Sequence, residues 1–143
     1  MADAKAKECA FCGIVRGDES AALVYRDAAC MAFLDVRPLF PGHTLLVPLE
    51  HVETLGDLPR ASIPALFTAA QKLSTAVERA MQAEGTFVAI NNRVSQSVPH
   101  LHIHIVPRRK GDGLRGFFWP RTKYESDEAM HAVAAAIRNA LDS

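Results

Sequence analysis

Apolar residues fall in short runs along most of this chain, and turn formers separate the runs. Leu23-Val24-Tyr25, Cys30-Met31-Ala32-Phe33-Leu34, Thr44-Leu45-Leu46-Val47, Thr86-Phe87-Val88-Ala89-Ile90 and Leu101-His102-Ile103-His104-Ile105-Val106 read as strands. Gly17-Asp18, Asp27, Arg37-Pro38 with Pro41-Gly42, and Gly85 break them apart. Between the third and fourth runs the period changes. Ile63, Leu66, Phe67, Ala70, Leu73, Val77 and Met81 recur at three and four residues, which predicts one long helix with an apolar stripe. Ser62 is expected as its N-cap with Pro64 in the first turn, and Gly85 as its C-cap. A C-terminal helix is expected from about Asp127 to Leu141. Strands in hairpin-like succession, interrupted by one helix, predict an antiparallel sheet in an α+β fold.

The 143 residues suit one domain, expected over 9–143 behind a loose polar tail at 1–8. Sixteen basic residues balance sixteen acidic ones, so no global field draws the chain to nucleic acid or an anionic membrane. Any phosphate recognition must be local. No apolar run approaches the ~20 residues of a membrane-spanning helix. No apolar signal region follows the first residues. These features suggest a cytoplasmic protein. Three cysteines, two of them in Cys9-x-x-Cys12, suggest metal or redox chemistry more than a disulfide.

The most informative stretch is His100-Leu101-His102-Ile103-His104-Ile105-Val106. In a strand, alternate side chains share a face, so three imidazoles would line up roughly 6.6 Å apart. Leu101, Ile103 and Ile105 would bury the opposite face. Imidazole is the side chain whose ordinary pKa straddles neutrality, so such a row suits proton handling, nucleophilic attack or metal binding. A half-exposed strand with polar residues facing outward is the bland alternative.

Gln96-Ser97-Val98-Pro99-His100-Leu101-His102-Ile103-His104-Ile105-Val106 resembles the His-x-His-x-His signature of the histidine-triad superfamily, in its Hint- and Fhit-like branches. Cys9-Ala10-Phe11-Cys12-Gly13-Ile14-Val15-Arg16-Gly17 resembles that family's opening, and Ala32-Phe33-Leu34-Asp35-Val36 its second strand. Gly42-His43-Thr44-Leu45-Leu46-Val47-Pro48, followed by His51, resembles its third. The resemblance implies a five-stranded antiparallel sheet with two helices, and a homodimer. It implies that His102 is a nucleophile towards a nucleotide α-phosphate, assisted by His104 and Ser97, through a nucleotidyl-histidine. Asp35 matches the ribose-binding acid. Phe11, Ile14, Phe33 and Val36 match positions that pack the base, and Gln96 and Asn91, or Asn92 in the alternative register of a shortened loop, match substrate-side amides. Cys9, Cys12, His51 and His100 match a structural zinc site, without an organic cofactor. Where glycine is usual before Gln96, this chain has Ser95.

His43 is given a supporting role, orienting another triad histidine, and Cys30 is read as core. The segment from Lys110 to Arg121 combines glycines, aromatics and cations, as a solvated loop or as a lid carrying arginines towards a polyphosphate. Its Trp119-Pro120 resembles a C-terminal pair of some Hint proteins. Three functions follow. The first is a nucleotidyl hydrolase or transferase acting on a dinucleoside polyphosphate, a nucleoside phosphoramidate or an aminoacyl-adenylate-like molecule. The second is a hydrolase whose triad holds catalytic zinc, and the third a nucleotide-binding module with little turnover.

Overall fold

The computed structural model describes residues 8–114 and 121–141. Most of the expected tail, and Trp119-Pro120, lie outside the described residues. The chain divides into two compact units, 1–110 and 111–143. The first is built from α1 (Ala10–Arg16), β1 (Leu23–Arg26), β2 (Cys30–Leu34), β3 (Thr44–Pro48), α2 (Ile63–Ala80), β4 (Gly85–Ile90) and β5 (Ile103–Arg108). The second carries α3 (Asp127–Leu141), with the bounds the sequence predicts and two acidic residues in its first turn.

The five strands form one antiparallel sheet in the order β1-β2-β3-β5-β4. This is the expected α+β architecture. Its register places Ala32, Leu46 and Ile103 in one row across three strands, and Phe33, Leu45 and His104 in the next. Because side chains alternate, these rows face opposite ways. The first row packs with Leu101 and Ile105 against Leu66, Ala69, Ala70, Leu73 and Val77 of α2. The second belongs to a smaller cluster in which Phe33, Leu45 and Val47 meet Cys9, Phe11 and Cys12 at α1. One face of the sheet is therefore the main core, and the other is free to build a site.

Three local expectations are corrected. The α2 stripe is rotated: Ala69 is buried, whereas Ile63 and Phe67 are 40% and 41% exposed. Ser62 stands at the N-cap position, but its backbone is already helical and its hydroxyl donates to Glu50 Oε1, so it caps nothing. Gly85 is not the C-cap either; the helix closes at Met81, Gln82 takes a left-handed φ of 51°, and Gly85 begins β4 opposite Arg108.

The histidine run is also not all strand. The ladder starts at Ile103, because Leu101 N–H donates to Val52 O at 2.7 Å before β3 is reached. The alternation persists through this irregular entry, with Leu101, Ile103 and Ile105 in the main core. Helix α1, at seven residues, is too short to show a helical repeat in the sequence. Cys9 opens it, accepting the Cys12 N–H on Sγ at 3.4 Å, and Gly17 closes it with φ 87°. That glycine is the one local signal for it.

Candidate active site and metal centre

Phe11 and Ile14 of α1, Phe33 with Asp35 and Val36 after β2, Leu45, Ser97, Val98, His102 and His104 line a cleft of about 230 Å³. The Phe33–Leu45–His104 row makes its floor. Phe11 meets Phe33 edge-on with centroids 5.3 Å apart, and meets the His102 ring at 5.1 Å and 89°. Val36 is 91% exposed, an apolar side chain held out at the rim. Asp35 Oδ1 accepts the Arg37 N–H at 2.9 Å, while Oδ2 lies 3.8 Å from His43 Nε2.

Hydrogen bonds assign the proton on each ring of this site. His102 Nδ1 is 2.7 Å from the His100 carbonyl, which can only accept, so Nδ1 carries hydrogen and a neutral His102 has its lone pair on Nε2. His43 Nδ1 accepts the Leu39 N–H at 3.1 Å, so its proton is on Nε2. That proton is donated to His104 Nδ1 at 2.9 Å, which leaves a neutral His104 with N–H at Nε2. The rings of His102 and His104 are 4.9 Å apart. The site thus pairs a bare imidazole nitrogen with an imidazole donor. Burial pushes the His104 pKa down to about 4, helped by the neighbouring His102 and His43. Burial lowers His43 as well, partly offset by Asp35. Both rings are neutral near pH 7.

His43 enters β3 from a tight turn in which Gly42 has φ 97°. A Cβ on Gly42 would stand 2.6 Å from the Met81 side chain, so only glycine lets the turn close here. Asp35, His43 and His104 also group three potential metal ligands. The Leu39 bond argues against that use, since it places hydrogen, not a lone pair, on the His43 nitrogen that faces the group.

A second group lies beside the first. One ligand atom each from Cys9, Cys12, His51 and His100 fall within 4.8 Å of one another. His100 Nδ1 is 3.4 Å from both sulfurs, and His51 Nδ1 is 3.3 Å from Cys12 Sγ. A tetrahedral zinc with ordinary bond lengths requires sulfur–nitrogen separations of about 3.6 Å. The donor set and spacing therefore fit zinc. His100 Nε2 donates to Pro48 O at 2.9 Å, which leaves Nδ1 bare and aimed at the thiols. Burial lowers the His100 pKa to about 4 and raises that of Cys12 to about 11, the latter with help from Cys9.

Two expected substrate residues are not brought to the cleft walls. Gln96 Oε1 accepts the Arg93 N–H and its Nε2 donates to Glu53 O, each at 2.7 Å, so the amide holds its own loop. Asn91 follows β4 and is not among the lining residues; its neighbour Asn92 accepts the Leu55 N–H. Ser95 has φ 62° and Arg93 φ 67°, both left-handed. The glycine expected before Gln96 is thus a conformational requirement that Ser95 meets under strain. Cys30 is buried in the main core, its thiol raised to about 12 by burial and by Asp27.

Residues 16–111 match the HIT domain family model, and the chain belongs to that family. An uncharacterized HIT-like protein of Saccharolobus solfataricus is 40% identical over 136 residues, covering 93% of this chain and 97% of the relative. The adenylylsulfatase of Arabidopsis thaliana is 34% identical over 75% of this chain and 55% of its own length. An asymmetrical bis(5'-nucleosyl)-tetraphosphatase of Schizosaccharomyces pombe is 37% identical over 62% of this chain and half of its own. Among solved structures, a HIT family member from Bacillus subtilis superposes with a TM-score of 0.84 at 34% identity, over 92% of this chain and 96% of the other. A zinc-bound histidine triad family protein from Mycobacterium smegmatis does so with a TM-score of 0.71 at 34% identity, over 96% and 97%. Among the described residues no helix is long and apolar enough to cross a membrane.

Proposed function

We propose that this protein is a nucleotidyl hydrolase or transferase that cleaves at a nucleotide α-phosphate through a nucleotidyl-histidine on His102. The observation that carries the reading is the 2.7 Å bond from His102 Nδ1–H to the His100 carbonyl, which leaves the lone pair on Nε2 of a ring that lines the cleft. In the first step that lone pair forms an N–P bond as the bond from phosphorus to the leaving group breaks, and the leaving group departs with the electron pair. In the second step water attacks phosphorus and gives up a proton that replaces the one taken by the leaving group, the N–P bond breaks, and a nucleoside monophosphate is released with His102 restored. His104 Nε2–H and the Ser97 hydroxyl donate to oxygens that gain charge, Ser97 on the leaving-group side. Asp35 accepts from the ribose hydroxyls, and Phe11, Ile14, Phe33 and Val36 hold the base. A dinucleoside polyphosphate or a nucleoside phosphoramidate fits this chemistry. The names of the Arabidopsis and fission-yeast relatives support it, since both describe cleavage of a nucleotide's phosphate linkage.

Cys9, Cys12, His51 and His100 hold a structural zinc in this proposal, which the name of the zinc-bound M. smegmatis structure supports. When bound, the ion supplies a cross-link between α1 and the entry to β5. The protein acts on small molecules in the cytoplasm as a homodimer. His102→Ala tests the mechanism. Turnover of adenosine phosphoramidate and diadenosine tetraphosphate should fall by several orders of magnitude while AMP still binds. Wild-type protein quenched during turnover should carry an acid-labile nucleotidyl adduct on the His102 peptide. Unchanged activity in His102→Ala would falsify the mechanism. Prompt loss of activity on chelation from a still-folded protein, without an adduct, would favour the metal-dependent hydrolase. Neither turnover nor adduct would favour the binding module.

A further inference from the structure

His100 belongs to both sites at once. Its ring sits between the Pro48 carbonyl at 2.9 Å and the two thiols at 3.4 Å, and it is fully buried. Its backbone carbonyl receives the His102 Nδ1–H at 2.7 Å. The peptide at His100 lies ahead of the β5 ladder, so strand pairing does not hold it. Two backbone bonds fix the chain there, His100 N–H to Val98 O at 2.8 Å and Leu101 N–H to Val52 O at 2.7 Å. The second of these holds one end of the planar peptide that carries the His100 carbonyl, and the His100 ring restrains the other end. On the other side, Phe11 presses edge-on against both His100 and His102, with centroids 6.0 and 5.1 Å away, and Phe11 follows Cys9 on the same short helix. Whatever fixes the thiols therefore fixes the two contacts that aim the His102 ring.

We infer that the Cys9–Cys12–His51–His100 centre positions the nucleophile, with His100 as the positioning residue: ligation of its ring holds the carbonyl that sets the His102 tautomer and orientation. This rests on the proposed role of His102 but goes beyond it, because it gives the metal centre a function in catalysis distinct from stapling the fold. Without a metal, the ring keeps its Pro48 bond but has only weak thiol contacts on the cysteine side in place of ligation. The carbonyl is then held only from the Leu101 end of its peptide, its aim at His102 Nδ1 loosens, and the His102 tautomer with hydrogen on Nε2 gains population. A misplacement of about 1 Å at a reacting group can cost on the order of a hundredfold in rate. The loss falls chiefly on kcat, with a smaller loss of base binding through Phe11 and Ile14 on the thiol-bearing helix, because Asp35, Phe33 and Val36 lie elsewhere.

The test uses the full chain with zinc loaded, with zinc stripped by chelation, and with zinc restored. Long-range ¹H–¹⁵N NMR of the imidazoles reads the His102 tautomer directly, without substrate and independently of activity. Loaded protein is expected to show one tautomer with hydrogen on Nδ1. Stripped protein, checked as folded by circular dichroism, should show a mixture, with restoration on adding zinc or cobalt. His51→Ala, which removes a ligand and its edge-on ring contact but leaves the His100 side chain and its Pro48 bond in place, should reproduce the stripped spectrum and lower kcat about a hundredfold with a smaller change in KM. If His51→Ala does not fold, the stripped and restored wild-type spectra decide alone. A single Nδ1–H tautomer in folded, stripped protein would overturn the inference and leave the centre as a staple. Wild-type activity in His102→Ala would instead remove the proposed reaction, whatever the spectra show.

Discussion

Asp35→Asn probes nucleoside recognition with the least disturbance to the fold. The wild-type carboxylate has two jobs. Oδ1 accepts the Arg37 N–H at 2.9 Å and shapes the turn after β2, while the other oxygen faces the cleft near His43. An asparagine carbonyl can keep the Arg37 bond, so the turn survives. The change replaces a charged acceptor on the cleft side with an amide donor. It also removes the group that offsets burial at His43, which leaves that ring neutral and its bond to His104 intact. A hydrogen bond to a charged group is worth about 1.5–3 kcal/mol. If a ribose hydroxyl makes that bond, AMP affinity should fall about 10- to 150-fold. An analogue lacking both hydroxyls, 2′,3′-dideoxy-AMP, has nothing to lose and should keep its affinity within about twofold. Titration calorimetry with both ligands on wild type and variant gives the four constants needed, and thermal unfolding checks that the turn is unharmed. Equal weakening of both ligands would refute the ribose assignment and make Asp35 structural. No weakening of either would do the same.

Other consequences are as direct. The protein should carry about one zinc per chain, and Cys9→Ser/Cys12→Ser should lack it and unfold at lower temperature, because binding free energy is here folding free energy; equal, near-zero zinc in both proteins by elemental analysis would remove the site. The depressed His104 pKa of about 4 makes the unfolded chain take up its proton first. Its stabilising effect is therefore complete above the ordinary histidine value of about 6.5 and is lost as pH falls towards 4, by roughly 1–2 kcal/mol after discounting for partial exposure. Chemical denaturation at pH 7.5 and 4.5 should show a smaller acid loss in His104→Gln than in wild type; an equal loss would place the acid sensitivity elsewhere. Gln96→Ala removes two loop bonds and should destabilise by about 1–3 kcal/mol while leaving AMP affinity unchanged; an intact stability with weakened AMP binding would return Gln96 to the substrate side.

Much of this protein is legible without coordinates, for reasons of periodicity. A strand needs only alternation and a helix only a three-to-four repeat, so the five strands and the α2 and α3 helices can be read from local pattern. The same alternation assigns Leu101, Ile103 and Ile105 to the core and leaves the three histidines to the opposite face. The four residues of the candidate metal centre, two cysteines and two histidines, are likewise visible as residues through the family resemblance, although Cys9 and His100 are 91 positions apart. Where local pattern competes with packing, it fails. The α2 stripe turns towards Ala69 because the sheet selects the smaller residue, and Gly85 joins a ladder in place of a cap. Ser95 marks the reverse case, an unusual residue whose meaning becomes clear only from its positive φ.

The chemistry of the site depends on contacts that no residue type announces. Three backbone groups, the Leu39 N–H and the carbonyls of His100 and Pro48, decide where the protons of His43, His102 and His100 reside. Every residue carries such groups, so sequence cannot say which will meet a ring. Antiparallel register then sets Phe33, Leu45 and His104 side by side, and α1 closes Phe11 over them. The sequence determined which side chains this protein has available for chemistry. Only the fold could decide which nitrogen of each histidine is bare, because that is a property of neighbours brought together across the sheet.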